Sequence, residues 1–290
     1  MRNSFKAAVA GLVAMLVCSS AAMAQAPQPQ QETRPVPTWK YNAADRAVGP
    51  GGPAPRRDLS GSWAGPRSGA GVPDSEGSET PVMTPMGREL FELNKPLAKF
   101  SPAGTNDPTV RYCDPLGFPH SAVAQIRGIS FATMPDRIVV LTQFQAVWRE
   151  IWMDGRQLPK NVGTDEKNSP DPRYNGYSVG RWEGDNTLVV DTTGLSENTW
   201  LSGAGYPHTI NARVQERYTR VSHNELRLTV TVDDPTLYAK PFLLGKSTYR
   251  WVPTQQLDEK LCIPSEVIEY LDAVGDPAGS DPNTPTGVRY

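Results

Sequence analysis

The residues best suited to chemistry share one short stretch. In an extended chain, alternate side chains point to opposite faces, so Trp148, Glu150 and Trp152 lie on one face while Val147, Arg149, Ile151 and Met153 lie on the other. With the tryptophans inward, Glu150 is a carboxylate between two indoles, where desolvation raises its pKa toward a range useful for proton transfer. With the aliphatic residues inward, Arg149 enters with them and can clamp a carboxylate or an oxyanion. The pattern leaves both orientations open. Asp191, on a face with Val189 and Thr193, is the second candidate acid; capping the turn at Thr192-Thr193-Gly194 is its plain alternative.

His208 lies with Trp200 and Tyr206 in a connection, residues 195–211, of the kind that often serves as a lid or binding loop. An unperturbed imidazole titrates at about 6.5, which suits acid or base work, although a surface histidine is the plain alternative. Tyr238 and Lys240 follow Asp233-Asp234-Pro235 at a strand end and would add a polar rim, or form a solvated pair. Trp148, Trp152, Tyr177, Trp182, Trp200 and Tyr238 together are the candidate lining for a small, partly aromatic ligand.

Other chemistries find no support in the spacing. The three histidines, His120, His208 and His223, form no His-x-His or His-Glu-x-x-His pattern, and no Cys-x-x-Cys occurs, so no zinc or iron site is expected. Asp165-Glu166 and Asp233-Asp234 lack calcium-loop spacing. There is no Gly-x-Ser-x-Gly, and no Gly-x-Gly-x-x-Gly bracketed by strand and helix, so neither a serine nucleophile nor a nucleotide cofactor is expected. The expected cofactor content is none.

The positioning elements are strands. From Gly128 onward, apolar alternation and turn signals predict strands at 128–133, 137–144, 146–153, 177–183, 187–193, 213–221, 225–233 and 245–252. Asp154-Gly155 reads as a hairpin dipeptide, and Gly184-Asp185-Asn186 and Ser222-His223-Asn224 as turns. In Glu225 to Asp233 the set Leu226, Leu228, Val230, Val232 opposes Arg227, Thr229, Thr231, Asp233, which gives one dry face. No long helical pattern separates these strands, so parallel βαβ units are disfavoured. An all-β, antiparallel meander must hide its edges, and a lipocalin-like barrel of about eight strands is preferred to a β-sandwich. One short helix is predicted before it, with Thr84 as N-cap and Pro85 in the first turn.

Arg2 and Lys6 precede an apolar run from Ala7 to Val17 that is too short to span a bilayer, and Ala22-Met23-Ala24 supplies small residues for cleavage after Ala24. The expected organisation is a signal peptide (1–24), a disordered Pro/Gln-rich tether (25–57), a wrapping N-terminal segment (58–120), the barrel (121–270) and a flexible tail (271–290). Sixteen of the 28 prolines fall between Pro27 and Pro119. Export to the periplasm or beyond leaves Cys113 and Cys262 as an even pair in an oxidising compartment, expected to be bridged, with two buried thiols as the alternative. The mature chain has no other window apolar enough to cross a membrane as a helix. Among 290 residues 38% are hydrophobic, enough for a sizeable core, and the net charge of −2 offers no basic surplus for nucleic acid.

The strings CDPLGFP (Cys113 to Pro119), VWREIWMDGR (Val147 to Arg156), GYSVGRWEGDNTLVVDTTG (Gly176 to Gly194) and VDDPTLYAKP (Val232 to Pro241) resemble those shared by a large group of uncharacterised secreted bacterial proteins. The likeness spans roughly residues 58–270 and implies no particular activity. Where the group has Arg after CDPLGFP, this chain has His120.

Two functions fit these residues. One is an exported, cofactor-free enzyme of lyase, isomerase or hydrolase type, in which Glu150 or Asp191 moves a proton, His208 acts from the lid and Arg149 steadies negative charge on a small aromatic substrate. The other is a lipocalin-like carrier whose aromatic cavity holds an apolar or aromatic ligand without catalysis. A barrel filled by its own side chains is a third reading.

Overall fold

A computed structural model describes residues 49–65, 78–96, 105–123, 128–254, 256–257 and 261–270. The expected leader, the tether through residue 48 and the tail from residue 271 lie outside the described residues.

Nine strands close into a barrel in chain order: β1 (Gly61–Ala64), β2 (Gly128–Thr133), β3 (Arg137–Thr142), β4 (Trp148–Trp152), β5 (Tyr177–Glu183), β6 (Thr187–Thr193), β7 (Arg213–Ser222), β8 (Glu225–Asp233) and β9 (Phe242–Trp251). The described helices are all short: α1 (Pro85–Asn94), α2 (Pro108–Tyr112), α3 (His120–Val123) and α4 (Pro264–Tyr270). None of them is long and apolar enough to cross a membrane. Local chemistry accounts for many of the boundaries. Gly184 turns the chain between β5 and β6 at φ +66°, and Thr84 caps α1 by accepting a hydrogen bond from Gly87 N at 3.1 Å.

The inward face of β8 is the dry side that alternation predicts. Leu226, Leu228, Val230 and Val232 are at most 1% exposed, and each such burial contributes about 1.5–3 kcal/mol. With Trp63, Ile129, Ile138, Ile151, Leu188 and Val190 they occupy the barrel interior among the described residues. An open interior cavity was the expectation; among the described residues the interior carries this buried apolar cluster.

Two further expectations are corrected. β1, placed by the sequence in a wrapping segment, is a wall strand: Trp63 pairs with Ile129 of β2 on one side and Trp251 of β9 on the other. It seals the two edges that eight strands would leave open. A four-residue strand is too short for alternation to reveal. Also, Asp154-Gly155 makes no hairpin. Residues 153–176 leave the wall instead, and β5 returns parallel to β4, paired only at Ile151 with Ser178 and Trp152 with Val179. Pro159, Pro170 and Pro172 in that excursion have no N–H for a ladder, which keeps it out of the sheet. All other strand pairs are antiparallel.

Residues 105–123 lie against the barrel, and the expected bridge secures them. Cys113 and Cys262 are joined, S–S 1.97 Å, linking the end of α2 to the residues just before α4. Tyr249, inside β9, donates its hydroxyl to Ala122 O of α3 at 3.0 Å.

Candidate functional site

β4 resolves its two faces in favour of the arginine. Ile138 and Val140 of β3 stand opposite Ile151 and Arg149 and are buried with them, so Arg149 turns inward while Trp148, Glu150 and Trp152 turn outward. Arg149 retains 9% exposure and Trp148 68%.

Inside, Arg149 Nη2 forms an ion pair with Glu216 of β7, which is fully buried. Tyr218 donates its hydroxyl to the other carboxylate oxygen of Glu216 at 2.6 Å, and the Phe118 ring lies 3.9 Å from the Arg149 guanidinium carbon. Burying two charges costs several kcal/mol per ion, and this geometry offsets it through the pairing, the tyrosine bond and the ring face. Burial, and next the Glu216 carboxylate, push the Tyr218 hydroxyl well above its usual range, so it stays a proton donor. One donor has no match: Arg149 Nε is buried without a hydrogen-bond partner.

The short parallel contact between β4 and β5 shapes what lies outside. Beyond Ile151 and Ser178 the strands part, and the Asn175 side chain reaches across the gap, donating to Trp148 O at 3.3 Å. The gap is a cleft of about 510 Å³ whose wall includes Trp148, Trp152, Tyr177, Arg156, Arg173 and, at its inner side, Arg149. Gly176 permits its tight turn: φ is +61°, and a Cβ there would lie 2.7 Å from Thr193 O. Trp152 carries the Arg137 guanidinium at 3.7 Å and that of Arg156 at 3.4 Å. Arg173 lies over the Tyr177 ring at 4.4 Å.

A smaller chamber of about 20 Å³ adjoins the cleft on the barrel side. It shares Trp148, Arg149 and Asn175 with the cleft, and Ser121, Thr142 and Tyr218 are also in its wall.

No family model matches this sequence, and no curated protein matches it.

The expected acids and base are placed differently from the expectation. Glu150 lines the cleft but is outside the barrel, paired with Arg137 at 2.6 Å. Asp191 faces outward, in an ion pair with Arg181 and accepting from Gln215 Nε2 at 2.9 Å. Neither stands in an apolar interior: the side chains are 39% and 33% exposed. His208 is buried away from both: its ring nitrogens bond Thr199 Oγ1 at 2.9 Å and Thr209 O at 3.2 Å. Burial lowers its pKa and holds it neutral. The expected lid is fastened down, because Asp234 accepts from Thr209 N at 2.7 Å and Tyr238 donates to Pro207 O at 2.6 Å.

Of the six aromatic candidates, Trp148, Trp152 and Tyr177 line the cleft. Trp182 packs against the core, and Trp200 and Tyr238 are buried elsewhere. Glu216, Tyr218 and Phe118 were missed. The signal for the first two was present in β7, where Val214, Glu216 and Tyr218 oppose an entirely polar face of Arg213, Gln215, Arg217 and Thr219. Among the described residues no group of three or more His, Cys, Asp or Glu is placed to hold a metal ion.

Proposed function

We propose that the protein is an exported carrier that binds a small aromatic molecule, without a cofactor, in the cleft between β4 and β5. One observation carries the reading: a cleft of about 510 Å³ with Trp148, Trp152 and Tyr177 on its wall and a buried arginine at its inner side. That volume lies within the roughly 300–1,000 Å³ typical of small-molecule sites. Carriage is favoured over catalysis because Glu150, Asp191 and His208 are each engaged by other groups and do not converge on one reacting atom. The Cys113–Cys262 bridge supports an oxidising compartment.

Tryptophan fluorescence tests the reading with a panel of aromatic metabolites. Saturable quenching that weakens in Trp148→Ala is the expected result, with the ligand recovered unchanged after long incubation. Quenching by none of them overturns the proposal. Ligand consumption that Glu150→Gln abolishes while binding persists would replace the carrier with an acid-base enzyme.

A further inference from the structure

We infer that the ligand of this cleft is an aromatic carboxylate, with its ring between Trp148 and Tyr177 and one carboxylate oxygen in the inner chamber on Arg149. The inference rests on the carrier reading and adds the ligand's charge and orientation.

Arg149 supplies the argument. Its side chain is about nine-tenths buried, and the ion pair with Glu216 uses Nη2. A guanidinium this buried is poorly solvated, so an oxygen arriving from the cleft at its accessible edge gains more here than at a solvated arginine. Tyr218, by donating to Glu216, disperses the charge of the one carboxylate that would repel an incoming anion. Arg149, Trp148 and Asn175 line both spaces, which places the chamber beside the cleft at Arg149. At about 20 Å³ it admits one water-sized atom. A planar carboxylate can insert a single oxygen there, whereas a tetrahedral phosphate presents three terminal oxygens to the same opening. At the rim, Arg173 has no carboxylate partner among the described residues and lies over Tyr177, adding positive charge beside the aromatic wall. Guanidinium groups match carboxylates in shape and can stack on rings, which suits a ligand that has both.

The test uses the oxidised, purified protein with 2-naphthoate, 2-naphthamide and 2-naphthyl phosphate, read by tryptophan quenching and calorimetry. The naphthoate is expected to bind at least about tenfold more tightly than the amide, as a charge-assisted bond replaces a neutral one. Arg149→Lys should remove most of that preference and leave the amide nearly unchanged. If this variant does not fold, the ligand series on the unaltered protein still decides. Equal affinity for amide and acid overturns the inference while leaving an aromatic carrier standing. A phosphate that binds more tightly than the acid overturns the carboxylate assignment. Acid-selective binding that ignores Trp148→Ala moves the site out of the cleft and overturns the inference as well. Failure of all three naphthalenes to bind removes both the inference and the carrier reading.

Discussion

Replacing Glu216 by leucine should be one of the most damaging single changes in the barrel, and its size follows from burial. Glu216 is fully buried and Arg149 retains 9% exposure, so Glu216→Leu leaves a guanidinium inside without its carboxylate and the Tyr218 hydroxyl without its acceptor. Removing one partner of a buried pair costs about 3–5 kcal/mol. For a domain of this size each kcal/mol moves the melting temperature by about 2–4 °C, so a fall of roughly 6–20 °C is expected. Glu150→Gln is the internal control. Its pair with Arg137 is also short, at 2.6 Å, but the Glu150 side chain is 39% exposed, and such surface pairs contribute about 0–1 kcal/mol. The triple variant Arg149→Met, Glu216→Leu, Tyr218→Phe removes all three polar partners together and should recover most of the loss, since apolar replacements of buried pairs are often neutral or stabilising. Urea and thermal unfolding of the four proteins, with the disulfide intact, supply the numbers. A Glu216→Leu protein as stable as Glu150→Gln, or a triple variant no better than the single, would refute the account of the pair.

Further expectations concern the rest of the molecule. Cys262→Ser should cost about 5 kcal/mol on the loop-entropy model, because the bridge links residues 149 apart in sequence; unfolding of the variant beside the oxidised parent measures it. The hydroxyls of Tyr218, Tyr238 and Tyr249 are all raised above the usual tyrosine range, chiefly by burial. A raised folded pKa contributes stability below the unfolded value and loses it above, so stability should decline as pH rises past about 10, with tyrosinate absorbance from these residues appearing only on unfolding. His208 has the opposite shift: its lowered pKa makes stability fall as pH drops below the ordinary imidazole value of 6.5, and His208→Asn should flatten that part of a stability–pH curve. Gly176→Ala, which forces a Cβ to 2.7 Å from Thr193 O at positive φ, should displace the cleft wall and weaken 2-naphthoate binding measured by calorimetry.

Much of the wall was legible in the residues because turns and alternation are short-range properties. β2, β5, β6 and β8 begin and end where turn chemistry and period-two patterning put them, and Thr84 caps α1 as its place before Pro85 implies. The candidate site was legible only in part. Trp148, Trp152, Tyr177 and Arg149 do come together at one cleft, while Glu150 reaches it from outside the barrel and Asp191 and His208 stand elsewhere. Both faces of β4 carry large side chains, so alternation separates them without saying which is dry.

The sequence by itself determined a β-rich chain with strands of known phase and a cysteine pair able to close a long loop, since each of these depends on residue type and near neighbours. Only tertiary structure decided that Arg149 faces inward, because its counter-ion Glu216 lies 67 residues away. It likewise decided that β5 returns parallel to β4 rather than as a hairpin, and the short ladder that results leaves the cleft. The local turn signal at Asp154-Gly155 was real, with Gly155 at φ +80°, but long-range pairing set where the next strand joined the wall.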